Sequence, residues 1–197
     1  GFTKSSVTPN ELIKMLLTAE VELLWFGGIG SYIKASSESH GDAGDRANDA
    51  VRINAKELKC QVIGEGANLG ATQLGRIEYA LAGGRLNTDS IDNSAGVDCS
   101  DHEVNIKILV DAVVAKGRLT GPQRNKLLEK MTDEVGLLVL RDNYLQSQAI
   151  SLLESQDTEL LDLQSRFIRE MERAGKLDRA VEFLPDEETL QDREKEN

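Results

Sequence analysis

The sequence is short of several residue types, and each shortage excludes a class of protein. Aromatic residues make up 4% of the 197 positions, and three positions are proline. Such a chain offers neither an aromatic stacking surface for nucleic-acid bases nor a proline-rich linker. No apolar run approaches the roughly 20 residues that a membrane helix needs, and residues 2–17 lack the layout of a signal peptide. We therefore expect a cytoplasmic globular protein with no membrane partner.

Basic residues and cysteines are also scarce. The 23 lysines and arginines are outnumbered by 34 aspartates and glutamates, which gives a net charge of −11. Phosphate binding needs a positive field, so no nucleic-acid partner is expected. The two cysteines, Cys60 and Cys99, lack CxxC spacing, which favours reduced thiols over a disulfide. No metal site is predicted.

The most informative part of the chain is residues 60–110. A short apolar run, Val62-Ile63, enters a glycine-bearing turn over residues 64–70, and a helical pattern follows. A second polar turn over residues 92–97 leads into another helix. Strand, glycine turn and helix in this order present backbone N–H groups to a ligand at the carboxyl end of a sheet. Two such turns close together predict a single cleft.

Strands are predicted on both sides of the first turn. Residues 21–26 contain five apolar residues in six, as expected of a strand covered on both faces. Residues 59–63 are a second strand and residues 84–87 a candidate third. The glycine cluster after the first strand does not match GxGxxG, because Ile33 occupies the position of the third glycine. Charged and amide residues at positions 45–52 either line a cleft or form a solvated surface.

Helical patterns account for most of the remaining chain. Thr8 and Glu11 have the spacing of a capping box, and Ser100 and Glu103 repeat it at the start of a helix that reaches about residue 116. Beyond residue 120 the chain is almost wholly helical. A helix over residues 72–82 places three apolar residues on one stripe: Leu74, Ile77 and Leu81. The expected fold class is α/β with parallel strands, followed by an all-helical C-terminal extension.

Two ordered segments carry a resemblance to a known family. The segment from Gly64 to Asn68 resembles the EGAN turn of glutamate dehydrogenases, and residues 93–103 resemble their NAGGVxxSxxE segment. The residue pattern from Leu24 to Leu109 is closer still to the large NAD-specific bacterial glutamate dehydrogenases. The later stretch MTDEVGLLVLRDNY extends the similarity, so it covers nearly the whole chain.

The resemblance implies a role for four residues in binding NAD. Asn68 would approach the ribose on the nicotinamide side, and Asn93 would approach the carboxamide of the nicotinamide ring. Gly27 and Gly28 would lie against the cofactor, where a side chain would obstruct it.

The resemblance also implies a site for the side-chain carboxylate of glutamate, formed by Val97 and Ser100. A helix N-terminus favours an anion, although Ser100 could instead serve only as the N-cap. The family has alanine and glycine where Ser94 and Ala95 stand here. His102 could be proposed as a base, but its place inside the predicted capping box favours a structural role.

By resemblance, the chain is a fragment of a longer dehydrogenase. Residues 1–117 would be the second half of a Rossmann-like NAD-binding domain, and residues 118–197 a helical C-terminal region. The parent would convert L-glutamate to 2-oxoglutarate and ammonia with NAD, as a homo-oligomer. No catalytic residue of the family has a counterpart before Val21, so the chain alone should be inactive and depend on the remainder of the parent chain. The alternative is a free-standing, non-catalytic nucleotide-binding or interaction module.

Overall fold

The computed structural model describes residues 6–156 and 160–196. Within these residues the chain combines helices with two small parallel sheets. The strands are β1 (Leu23–Phe26), β2 (Ile33–Lys34), β3 (Ile53–Asn54) and β4 (Val62–Glu65). The α-helices are α1 (Pro9–Leu17), α2 (Gln73–Leu81), α3 (Asp89–Asp92), α4 (Val97–Ala115), α5 (Gly121–Ser155), α6 (Leu161–Arg173) and α7 (Glu187–Glu196).

The chain divides into two compact units, Gly1–Asn143 and Tyr144–Asn197. The first unit holds both sheets and helices α1 to α4, and α5 continues from it into the second. The boundary predicted from the sequence, between an NAD-binding region over residues 1–117 and a helical region over residues 118–197, stays a prediction. Throughout the described residues, no helix is both long enough and apolar enough to span a membrane.

The larger sheet pairs β1 with β4 in parallel, from Leu23 opposite Val62 to Phe26 opposite Glu65. On the other side of β4, Val62 forms a parallel bridge with Arg85, which lies in the predicted third strand. The strand predicted at residues 59–63 is displaced toward Glu65, because Gly66 N donates to Phe26 O at 2.9 Å and prolongs the pairing with β1.

The first strand is covered on one face rather than two, so that expectation was wrong. Phe26 packs into the core with Ile63, whereas Leu23 and Trp25 are 54% and 59% exposed. The indole ring of Trp25 lies flat against β4. A Cβ atom at Gly64 or Gly66 would come within 2.6 or 2.5 Å of ring carbons of Trp25, so these glycines permit the close approach.

The segment that connects β1 to β4 forms the smaller sheet. Strands β2 and β3 pair in parallel through Ile33–Ile53 and Lys34–Asn54. The intervening loop folds around Arg52, which is buried and donates from Nε to Ser31 O at 2.8 Å and from Nη1 to Asp49 Oδ1 at 2.6 Å. A solvated surface is therefore the wrong interpretation for Arg52, because its guanidinium organises the loop from inside.

Helix α2 buries a different face from the one predicted. Its buried residues are Gly75, Arg76 and Tyr79, whereas Leu81 is 80% exposed. Tyr79 donates from its hydroxyl to Cys60 O at 2.9 Å. The polar partners available inside the unit, rather than the apolar stripe, fix the rotation of the helix.

Helix α4 begins at Val97, three residues before the predicted start at Ser100. The N–H groups of Gly96 and Val97 both donate to Asn93 O at 2.9 Å, so the preceding turn leads directly into the helix. The spacing of Ser100 and Glu103 that suggested a capping box therefore lies inside the helix.

Candidate functional site

Two glycine-bearing segments leave the same edge of the larger sheet. Because β1 and β4 are parallel and in register up to Phe26 and Glu65, the segments that follow them start side by side. Gly27-Gly28 follows β1, and the turn through Gly66 to Asn68 follows β4. The carboxyl edge of parallel strands is where α/β proteins bind ligands.

Asn68 and Asn93 meet at this edge. Asn93 Nδ2 donates to Asn68 Oδ1 at 2.6 Å, although 25 residues separate them along the chain. Asn68 lies in the turn after β4, and Asn93 is the C-cap of α3. Both side chains are half-buried. The contact holds the two predicted turns against each other.

The two aspartates of helix α3 hold it against the turn over residues 64–70. Asp92 Oδ2 accepts the N–H of Glu65 at 3.0 Å, and Asp89 Oδ2 accepts the N–H of Leu69 at 3.1 Å. Leu69 has a φ of +61°, an unusual conformation for a side chain of this size. Sequence reasoning missed Asp89 and Asp92. Their positions, one and four residues before Asn93, were the available signal.

A buried ion pair lies beneath the turn. Arg76 Nη2 is 2.9 Å from both carboxylate oxygens of Glu65, and the two side chains are 8% and 1% exposed. Gly70 N also approaches Glu65 Oε2, at 3.4 Å. Burial raises the pKa of Glu65, and the charge and hydrogen bond of Arg76 oppose that rise. The pair fixes the base of the turn that carries Asn68.

The segment after β1 borders an open pocket of about 270 Å³. Its lining includes Trp25, Phe26, Gly27, Gly28 and Tyr32. Among the described residues, no atom outside its immediate chain neighbours lies within 4 Å of a Cβ built on Gly28. The fold of the chain therefore does not itself require glycine at this position.

The predicted substrate residues lie at the start of α4, directly after Asn93. Val97 is the first residue of the helix and is half-buried, whereas Ser100 is one turn further on and exposed. The helix N-terminus therefore lies at Val97 rather than at Ser100, and the N–H groups of Val97 and Cys99 already donate to Asn93 O and Ser94 O, at 2.9 and 3.0 Å. A Cβ on Gly96 would come within 2.7 Å of Asn93 Oδ1, so glycine at this position leaves room for the Asn93 amide.

Helix α5 braces the same turn from a distance in sequence. Asn143 Nδ2 donates to Ile91 O at 2.9 Å and to Ser94 Oγ at 2.7 Å. Sequence reasoning missed Asn143, because these partners are 52 and 49 residues away and no local pattern marks the contact. Asn143 lies within the stretch MTDEVGLLVLRDNY that carries the family resemblance.

His102 lies in the second turn of α4, where it faces Asp98 and Asp142. The predicted capping box around it does not form a helix start.

The fold combines helices with small parallel sheets, and the turns that carry Asn68 and Asn93 meet at the carboxyl edge of the larger sheet. Comparison with known sequences identifies the family. The family model for the catalytic domain of bacterial NAD-glutamate dehydrogenase matches residues 1–153. The chain belongs to the bacterial NAD-glutamate dehydrogenase family.

Three curated relatives agree, and all three are named NAD-specific glutamate dehydrogenase. The protein from Halomonas elongata is 54% identical over 197 residues, which is 100% of this chain. The protein from Pseudomonas aeruginosa is 56% identical over 95% of the chain, and that from Mycobacterium tuberculosis 50% over 94%. The chain spans about 12% of the length of each of these relatives.

Proposed function

We propose that this chain forms the nicotinamide side of the active site of an NAD-dependent glutamate dehydrogenase. The whole protein would oxidatively deaminate L-glutamate to 2-oxoglutarate and ammonia. Support comes from membership of the family and from the names of relatives that are 50–56% identical. The parallel strands and turns up to residue 117 would be the second half of a Rossmann-like domain.

The contact between Asn68 and Asn93 is the observation that carries the proposal. The hydrogen bond from Asn93 Nδ2 to Asn68 Oδ1 leaves Asn93 Oδ1 as an acceptor and Asn68 Nδ2 as a donor. An acceptor suits the carboxamide N–H of nicotinamide, and a donor suits a ribose oxygen. The pair therefore offers the two complementary groups from one fixed position.

The residues along β1 fit a flat ring system. Gly28 leaves space into which a side chain would project without touching the rest of the described chain, and the neighbouring pocket is mostly apolar in composition. NAD supplies the hydride acceptor of the reaction. Gly27 and Gly28 would let the cofactor lie directly against the backbone at the end of β1.

Val97 and Ser100 would bind the side-chain carboxylate of glutamate. Val97 opens α4, where the helix dipole favours an anion. The Ser100 hydroxyl, one turn along, can donate to the same group. The short link from Asn93 to Val97, through Gly96, would place substrate and nicotinamide next to each other.

The acid–base groups of the reaction are expected outside this chain. Hydride transfer from the Cα of glutamate needs a base and an electrophile held beside the cofactor, and the remainder of the parent chain would supply both. The isolated chain should therefore show no NADH production from NAD and glutamate. The parent would act as a homo-oligomer in the cytoplasm.

The test is Asn93→Ala in the full-length protein. Loss of one hydrogen bond to the cofactor should lower kcat/KM for NAD by about tenfold or more, whereas loss of the Asn68 contact should cost only about 1 kcal/mol of stability. Asn105→Ala is the matched control, since Asn105 is exposed on α4 and donates to Asp101 O. It should retain wild-type turnover.

Wild-type kinetics in Asn93→Ala would exclude the cofactor role of this residue. Turnover by the isolated chain, followed as NADH absorbance, would contradict the expectation that the catalytic groups lie elsewhere.

A further inference from the structure

A second cluster of ionisable side chains lies on the first turns of α4, separate from the paired amides. Asp98 and His102 are four residues apart and therefore share one face of the helix. His102 Nε2 is 3.6 Å from Asp98 Oδ1 and 3.4 Å from Asp142 Oδ2, which α5 contributes. One ligand atom from each residue lies within 4.8 Å of the others.

The two distances from His102 are compatible with ligands around a metal ion. Charge-assisted hydrogen bonds between nitrogen and oxygen are usually about 2.7–2.9 Å long. Two ligands about 2.1 Å from one tetrahedral zinc ion are instead roughly 3.4 Å apart. The separations of 3.4 and 3.6 Å from His102 to its two carboxylates match the second geometry.

Asp98 provides an independent indication. Its Oδ2 atom is buried and has no hydrogen-bond partner among the described residues. A buried carboxylate oxygen without a partner is costly, and a cation bound by the Asp98 carboxylate would offset that cost. The three residues are all partly buried, so the position remains open to an ion from solvent.

We propose that Asp98, His102 and Asp142 bind one divalent transition-metal ion of the zinc type. Imidazole and carboxylate together suit zinc and similar ions, whereas Mg²⁺ and Ca²⁺ prefer oxygen ligands alone. Three protein ligands leave the fourth tetrahedral position for water. The ion links the first turns of α4 to α5.

The experiment titrates the chelator-treated full-length protein with Co²⁺ and follows its visible absorption, then displaces Co²⁺ with Zn²⁺. One Co²⁺ per chain with the intense visible bands of four-coordinate cobalt is expected at this site. His102→Ala should weaken its binding by at least about tenfold. His40→Ala is the matched control, because His40 is the other histidine of this chain and contacts Arg52 instead.

The melting temperature provides a second measurement, which compares each folded variant with and without Zn²⁺. Zn²⁺ should raise the melting temperature of the wild type and of His40→Ala, but not that of Asp98→Asn or Asp142→Asn. The proposal is wrong if the wild type gives no four-coordinate cobalt spectrum, or if His102→Ala and Asp142→Asn bind Co²⁺ as the wild type does. In that case His102 forms only an ion pair with the two carboxylates.

Discussion

The polar side chains at the carboxyl edge of β1 and β4 differ from those of the C-terminal helices α6 and α7. At the sheet edge, partners are distant in sequence: Asn68 and Asn93 are 25 residues apart, and Glu65 and Arg76 are 11 residues apart. In the helices many pairs are local. Arg166 and Asp162 are four residues apart and 65% and 50% exposed, and Lys195 and Asp192 are three apart and exposed.

The difference shows where tertiary structure positions polar groups. A buried polar group destabilises the protein unless its partners are in place, so each pair at the sheet edge fixes the turns that it joins. Exposed ion pairs contribute little to stability because water screens them. The sheet edge is therefore organised for positioning, whereas the surface of α6 and α7 is mainly solvated.

The largest effect that separates the two regions is expected from Arg76→Met. It leaves the Glu65 carboxylate buried without its counterion, which should lower the free energy of unfolding by about 3–5 kcal/mol at neutral pH. Chemical denaturation followed by circular dichroism measures it. Lys195→Ala, on α7, should cause no measurable loss.

A double variant controls for packing changes at Arg76. Glu65→Gln combined with Arg76→Met removes both charges and should be more stable than Arg76→Met alone. Equal losses for the single and double variants would mean that the ion pair does not account for the effect.

Asn143→Ala should have an intermediate effect. It removes two hydrogen bonds to the turn before α4, at Ile91 O and Ser94 Oγ, and should cost about 1–2 kcal/mol. Turnover of the full-length protein should also fall, because Asn93 lies in the braced turn. Gln146→Ala, three residues further along α5, is the control. Unchanged stability and turnover in Asn143→Ala would contradict the proposal that Asn143 stabilises this turn.

The loss of stability in Arg76→Met should also change with pH. This change should be smaller than the effects above, and its sign can be predicted. Burial raises the pKa of Glu65 above its ordinary value of 4.5, and loss of Arg76 raises it further. A carboxyl whose pKa is higher in the folded state contributes stability below its unfolded pKa and loses it as pH rises through the folded pKa. The destabilisation should therefore be smaller near pH 4 than at pH 7. A loss that grows on acidification would contradict this assignment.

Local signals in the sequence predicted local structure. Thr8 and Glu11 form the expected capping box, and Cys60 and Cys99 are free thiols. The strand–turn–helix order around Gly64 was also correct. Capping signals recur inside helices, however, which is why the start of α4 was placed at Ser100 instead of Val97.

Contacts between distant segments were less accessible to sequence reasoning. The family motifs pointed to Asn68 and Asn93, and the structure adds that their amides touch. Arg76 turns α2 away from its apolar stripe because Glu65 is buried beneath the helix. Asn143 and Asp142 come from α5, about 50 and 40 residues from their partners, and no local periodicity marks such contacts.

The most direct test of the account is the affinity of the full-length protein for NADH when a methyl group is added at Gly28. Gly28→Ala adds a Cβ that meets no described atom beyond its chain neighbours, so its folding should be unchanged. The cofactor would occupy that space, and NADH affinity measured by fluorescence titration should fall by about tenfold or more, while Gly136→Ala on α5 keeps wild-type affinity. Wild-type NADH affinity in Gly28→Ala would contradict a cofactor site at this edge of the sheet.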